Sequence, residues 1–320
     1  MVDGILLIDK PAGLTSHNLV DRVREIFSQR RVGHTGILDP LATGLMIILL
    51  GKGTLLSSQL TGVDKKYSAV FEFGRTTDSF DREGKIVSEI DPGKVDLDRF
   101  KHLCDTFTGR ISQLVPPFSA VKLKGKRMYQ SARDGEKVPE RHKDVEVYSI
   151  EIDSFSWPLI GLNIHCSAGT YVRSIAHEMG QKLGCGGYLK DLVRTAVDSF
   201  TIDQAISLEQ LINSIENGDY GAVRSLVEAL PDRPTISIRP EYYHYILEGR
   251  PFIKRYLGHT EYRGPGGCLS LLLGPDNKIL AMVNLNYNWG SLNRLDSRDI
   301  LGKYVRIIDE GHLRQELARK

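Results

Sequence analysis

The sequence predicts an α+β protein of 320 residues with a smaller β-rich module at its C-terminal end. Three observations lead there. Two strand-like runs, residues 145–155 and 160–166, follow each other with no helix between them. Segments with an apolar face at helical spacing (Leu19, Val20, Val23, Ile26 and Phe27; later Ile175, Met179 and Leu183) are interleaved with strands without strict alternation. Two prolines then bracket charged residues at Pro231-Asp232-Arg233-Pro234, and beyond them the chain changes to short strands and turns. A chain this long exceeds what one hydrophobic core organises. The expected division is 1–232 for the large domain, 233–310 for the small one, and a tail at 311–320.

Taken in order, residues 5–8 read as a buried strand and 9–13 as a turn. Thr15-Ser16 offers a helix N-cap. Residues 31–44 hold three glycines and a proline, so the backbone there turns sharply and carries little bulk before the apolar strand 45–50. Gly51-Lys52-Gly53-Thr54 lacks the GxxxxGK[ST] spacing of a phosphate-binding loop and reads as a turn or a close packing point. A strand at 65–74 places Ala69, Phe71 and Phe73 on one face. Residues 75–84 are too rich in turn formers for a core element. Residues 98–106 read as a helix, 115–120 as a break, and 145–155 and 160–166 as strands. Residues 207–215 and 222–230 read as helices. The last module contributes a short helix near 242–249, strands at 268–273, 279–284 and 303–308, and a hairpin turn at Gly274-Pro275-Asp276-Asn277.

Composition narrows the function classes. Hydrophobic content of 41% and charged content of 26% are those of an ordinary globular protein, and the apolar run 45–50 is far too short to span a membrane. Met1-Val2-Asp3-Gly4 has no basic start before its first apolar run, so a cytoplasmic protein is expected. Cys104, Cys166, Cys185 and Cys268 are scattered without a CxxC, and His177-Glu178 has no second His at zincin spacing, so no metal is expected. Residues 122–143 carry eight basic residues, among them Lys122, Lys124, Lys126, Arg127 and Arg133, against three acids. Such a segment is either a phosphate-binding patch or a solvated surface face.

Asp39 is the single carboxylate in the glycine-rich loop, and Pro40 after it pushes it out of helical conformation. An acid presented this way at the mouth of a strand is a candidate nucleophile, although Asp-Pro is also ordinary turn chemistry. Arg173, just after the bend at 167–171, is a cation that can hold an enclosed carboxylate bidentately or lie as a plain helix-start charge.

Six pieces, taken in chain order, carry a resemblance. They are Lys10-Pro11-x-Gly13-x-Thr15-Ser16; Gly33-His34-Thr35-Gly36-x-Leu38-Asp39-Pro40-x-Ala42-Thr43-Gly44; Lys66-Tyr67; Pro116-Pro117-x-Ser119-Ala120-x-Lys122 with Gly125, Arg127 and Tyr129; Gly169-Thr170-Tyr171-Val172-Arg173; and Leu192-x-Arg194. Together they resemble the TruB family of tRNA pseudouridine-55 synthases. The resemblance implies a pseudouridine synthase fold, with a central mixed, largely antiparallel sheet flanked by helices, a basic RNA-clasping insertion near 116–143 and a PUA-like C-terminal domain. It implies cofactor-free isomerisation of uridine in the T loop of tRNA by a monomer. Asp39 matches the catalytic aspartate and Arg173 its partner. Tyr67 matches the aromatic that stacks on the flipped uracil, with proton removal from C5 a further task the resemblance allows. Tyr171 and Leu192 match pocket residues, and His34 matches the residue that helps hold the tRNA loop open. Ile37 stands where a small or hydroxylic residue is usual, and one extra residue separates Gln113 from Pro116, so Gln113 receives no role.

The chemistry needs these residue types. Remaking a glycosidic bond takes one carboxylate beside a base drawn out of its stack, and no second acid is needed because no water is activated. Two rivals remain at this stage. A protein that only binds or folds tRNA leaves Asp39, Tyr67 and Arg173 idle, though an enzyme can also assist folding. A nucleoside hydrolase leaves the basic segment idle.

Overall fold

The computed structural model describes residues 1–119, 121–123, 126–134, 139–258, 267–292 and 294–309. Among them, β1 (Gly4–Lys10), β2 (Val32–His34), β3 (Thr43–Leu50) and β4 (Lys65–Phe73) belong to one nine-stranded sheet, with α1 (Ser16–Ile26) and α2 (Ser57–Thr61) between them. A side hairpin, β5 (Arg75–Thr77) and β6 (Ile86–Glu89), precedes α3 (Leu97–Asp105) and β7 (Gly109–Leu114). A second small hairpin, β8 (Lys122–Leu123) and β9 (Lys126–Arg127), leads into α4 (Met128–Arg133). The main sheet resumes with β10 (His142–Ser156), β11 (Leu159–Cys166), β12 (Gly187–Val197) and β13 (Phe200–Thr201), with α5 (Val172–Leu183) before β12. Its order is β1-β3-β12-β4-β11-β10-β7, with β2 on β3 and β13 on β12. Among the described pairs of this sheet, β3 with β12 is the parallel one, so the sheet is mixed and largely antiparallel, as expected.

Neither β1 nor β3 alternates polar with apolar, because each has a core on both faces. Leu6, Ile8, Met46, Ile48 and Leu50 face one core, shared with Leu19, Val20 and Val23 of α1 and Ile175 and Met179 of α5. Ile5, Leu7, Leu45, Ile47 and Leu49 face the other. A fully buried Leu or Ile contributes about 1.5–3 kcal/mol over an exposed one, so these strands anchor whatever loop joins them. Strand β4 shows the expected alternation, burying Tyr67, Ala69, Phe71 and Phe73 while Lys66 is exposed.

After α6 (Leu208–Glu216) the chain builds a five-stranded sheet from β14 (Thr235–Ser237), β15 (Phe252–Ile253), β16 (Leu269–Leu273), β17 (Ile279–Leu285) and β18 (Ile300–Ile307), with α7 (Tyr243–Leu247) and α8 (Trp289–Leu292). The β16–β17 turn takes Asp276 and Asn277 to φ 54° and 56°, a conformation short polar side chains tolerate. One face of this sheet, with Leu271, Ile279 and Met282, joins the core beneath β1 and β3. Among the described residues no helix is long and apolar enough to cross a membrane.

Three expectations are corrected. Residues 222–230 form turns instead of a helix. Arg224 exchanges backbone hydrogen bonds of 2.9 Å with Ile5, because the outer edge of β1 needs a partner, while Leu226, Ala229 and Leu230 still reach the core. Residues 75–84 are not a peripheral loop: they begin as β5, and the turn that follows buries Ser79, Phe80 and Asp81. The expected loop at 31–44 likewise starts as β2.

Candidate active site

Strands β2 and β3 hold the two ends of the Asp39 loop, and the turn after β1 clamps its middle. The Ser16 hydroxyl donates to the Leu38 carbonyl at 3.0 Å and accepts from the Leu38 N–H at 2.8 Å. Lys10, fully buried, donates from Nζ to the carbonyls of Pro11 and Leu14 at 2.9 Å each and of Pro40 at 3.3 Å. Burial lowers its ammonium to about 8, against the opposing pull of Asp39. The Gly13 N–H donates to the Pro40 carbonyl at 2.8 Å. The Lys10-to-Ser16 motif is thus a backbone clamp on the residues either side of Asp39.

Arg173 comes from the first turn of α5. Its Nε donates to Oδ2 of Asp39 at 2.9 Å and its Nη2 to Oδ1 at 3.1 Å, a bidentate pair. The guanidinium is 4% exposed while the Asp39 side chain is 29% exposed, so the carboxylate still opens onto a cavity. The remaining N–H groups are satisfied by the carbonyls of Ser79 at 2.9 Å and Phe118 at 3.1 Å, with Oδ2 of Asp81 3.4 Å from Nη1. A cation this buried requires such partners, which explains why the polar turn at 79–81 lies inside the protein. Asp81 accepts from the Ser79 hydroxyl at 2.6 Å and the Glu83 N–H at 3.0 Å, and burial raises its carboxyl above the ordinary value. Phe80, at φ 65°, stacks on His177 of α5 with ring centroids 3.8 Å apart, which ties the turn to the helix that carries Arg173.

One cavity of about 500 Å³ is lined by His34, Asp39, Tyr67, Tyr171, Arg173 and Leu192, so the structure brings together every catalytic and substrate-binding candidate taken from the sequence. Its volume suits a small molecule or a single extruded nucleotide. Tyr67 lies in mid-β4, and burial pushes its phenol up to about 12, so it is protonated at neutral pH. Leu192, on β12, sits opposite Ala69 of β4. His34 lines this cavity and a neighbouring one of about 840 Å³, accepts from the Gly36 N–H at 3.2 Å through Nδ1, and is held below its ordinary pKa by burial.

Gln113, left without a role by the sequence, is 1% exposed and fixes Tyr171. Its Nε2 donates to the Tyr171 carbonyl at 3.0 Å, and its Oε1 accepts from the Tyr171 N–H at 2.7 Å. Asp81 was hidden by its turn-like surroundings. The signal that could have found it is that a buried Arg173 needs more than one acceptor. The basic segment begins beside Phe118: Lys122 pairs with Arg127 across β8–β9, Lys126 lies in β9 and Arg133 ends α4, while Lys124 lies outside the described residues.

Comparison with known proteins identifies the family. The family model described as TruB family pseudouridylate synthase (N terminal domain) matches residues 24–172, and that of the tRNA pseudouridylate synthase B C-terminal domain matches residues 173–230. The chain is similar to the tRNA pseudouridine synthase B of Geobacter sulfurreducens, 42% identical over 88% of this chain and 93% of that one. It is also similar to that of Aquifex aeolicus, 42% identical over 80% and 89%. In fold it resembles a chain in the structure of an H/ACA RNP bound to a substrate RNA containing 2'-deoxyuridine, with a TM-score of 0.73 at 21% identity, covering 95% of this chain and 84% of that one.

Proposed function

Because this chain belongs to the TruB family of pseudouridylate synthases, we propose that it isomerises uridine 55 in the T loop of tRNA to pseudouridine, with Asp39 as the catalytic carboxylate. The observation that carries this reading is the Asp39 side chain, held bidentately by a buried Arg173 yet open to a cavity lined by Tyr67, Tyr171 and Leu192. The relatives' name, tRNA pseudouridine synthase B, supports tRNA as the substrate.

The reaction breaks the N1–C1′ bond, forms a C5–C1′ bond, removes a proton from C5 and adds one at N1, so no cofactor or water is consumed. Asp39 acts on the extruded uridine, either at C1′ as nucleophile or counter-charge to the sugar, or at C6 of the base. Arg173 fixes the carboxylate's orientation, so that its reach is set before the substrate arrives. Tyr67 and Leu192 supply aromatic and apolar faces for the extruded uracil, with Tyr171 beside them. His34 helps keep the T loop open, and the basic segment with Lys122, Lys124, Lys126, Arg127 and Arg133 neutralises phosphates of the T arm. In this reading residues 1–232 are the catalytic domain, 233–310 a PUA-like domain and 311–320 a tail, in a monomer.

Mass-resolved mapping of pseudouridine in tRNA incubated with the protein tests the reading. Product at position 55 from the wild type, and none from Asp39→Asn that still binds tRNA, is the expected result. Product elsewhere, or undiminished product from the variant, overturns it.

A further inference from the structure

Arg194 of β12 is 2% exposed and among the largest fully buried side chains, yet among the described residues no carboxylate pairs with it. Its guanidinium spends its hydrogen bonds on main chain. Nε donates to the Leu45 carbonyl at 2.7 Å and Nη1 to the Ile37 carbonyl at 3.2 Å, one acceptor on each side of Asp39. Its own backbone lies between the two halves of the site. On one side it pairs in parallel with Gly44 and on the other antiparallel with Tyr67.

We propose that Arg194 is a positioning residue of this site: it sets the Asp39 loop and Tyr67 in register and places a positive charge with no carboxylate partner in the wall of the cavity. The proposal rests on the reading of the site as a pseudouridine synthase centre. A scaffold role alone does not explain the residue type, because burying an unpaired cation is costly and an apolar side chain would fill the same volume. Two needs do explain it. Bridging the carbonyls of Leu45 and Ile37 takes a planar fork of donors, which a lysine lacks. When the N1–C1′ bond breaks, its electron pair goes to the uracil ring, and a fixed cation lining the cavity stabilises that charge without reorganising.

The test compares wild type, Arg194→Lys and Arg194→Met. Hydrogen exchange of the backbone amides at 35–45 is read without substrate, and the single-turnover rate and tRNA Kd are read with it. Arg194→Lys is expected to speed exchange in that segment and to slow the chemical step roughly 100-fold, with Kd within about twofold. Arg194→Met, which has no charge, is expected to be slower still; if its melting curve shows it unfolded, Arg194→Lys decides alone. Unchanged exchange at 35–45, a rate near wild type, or a rate loss that follows Kd overturns the proposal. Faster exchange in a protein whose wild type forms no pseudouridine supports the clamp and overturns the functional reading instead.

Discussion

Arg173 holds Asp39 with two parallel hydrogen bonds and turns its third nitrogen toward Asp81, 3.4 Å away, so that one guanidinium is shared between a half-open carboxylate and a buried one. The sharing fixes both the direction and the rigidity of Asp39. A lysine keeps the charge but offers a single point contact in place of a fork. Arg173→Lys is therefore expected to cut the single-turnover rate of pseudouridine formation by about 100-fold or more while leaving tRNA affinity near wild type. A fall in affinity of the same size as the fall in rate would show that Arg173 binds RNA and does not orient Asp39.

Asp81 is expected to matter through Arg173. Burial raises its carboxyl above the ordinary 3.8, so between 3.8 and its folded value the folded protein binds more protons than the unfolded chain, and its contribution to stability falls as pH rises through that window. A carboxyl raised in this way is a stability cost above that window, kept for its contact with the guanidinium. Asp81→Asn is expected to flatten the pH dependence of melting across that window and, by removing a carboxylate oxygen 3.4 Å from the Arg173 guanidinium, to lower the catalytic rate by roughly tenfold. Melting curves across pH, with rates at pH 7, check both; an unchanged rate would leave Asp81 a folding residue only.

Much of this is legible in the chain because periodicity reports burial. Strand β4 announces itself through Tyr67, Ala69, Phe71 and Phe73 on alternate positions, and α1 through Leu19, Val20 and Val23. Asp39 and Arg173 stand out by residue type and setting, Tyr67, Tyr171 and Leu192 only through the family resemblance, and all five meet at one cavity. What escapes is what long-range pairing decides. The segment 222–230 has helical spacing, but the open edge of β1 recruits its backbone. Ser79 and Asp81 look like surface turn residues until Arg173, 94 residues from Ser79 in sequence, draws them inward. Gln113 is polar and unremarkable by sequence, and its value lies in two hydrogen bonds to a residue 58 positions away.

The basic segment makes a prediction about ions. If Lys122, Lys124 and Arg127 neutralise phosphates, replacing all three with Gln should weaken tRNA binding and reduce the slope of log affinity against log salt by about 2, since each phosphate contact contributes roughly 0.7–0.9 to that slope. Titrations at several salt concentrations measure it. An unchanged slope would make the segment an ordinary solvated face.

Gly44 offers the sharpest test of the loop's architecture. It sits at φ +105°, where side chains are strained, and a Cβ there would stand 2.4 Å from the carbonyl oxygen of Arg194 and 2.7 Å from its N, both backbone atoms that cannot swing aside. The change must push β3 away from β12 at the point where the Asp39 loop joins the sheet. Gly13 provides the control: its φ is +84°, but a methyl added there would have nothing within 4 Å, so Gly13→Ala carries backbone strain alone, about 1–2 kcal/mol. Gly44→Ala adds a backbone clash to the same strain and is expected to cost more than about 3 kcal/mol. Chemical denaturation of the two variants should therefore separate them clearly. Equal losses would mean that the β3–β12 contact yields easily, and then neither the placement of Asp39 nor the grip of Arg194 on its loop could depend on that junction.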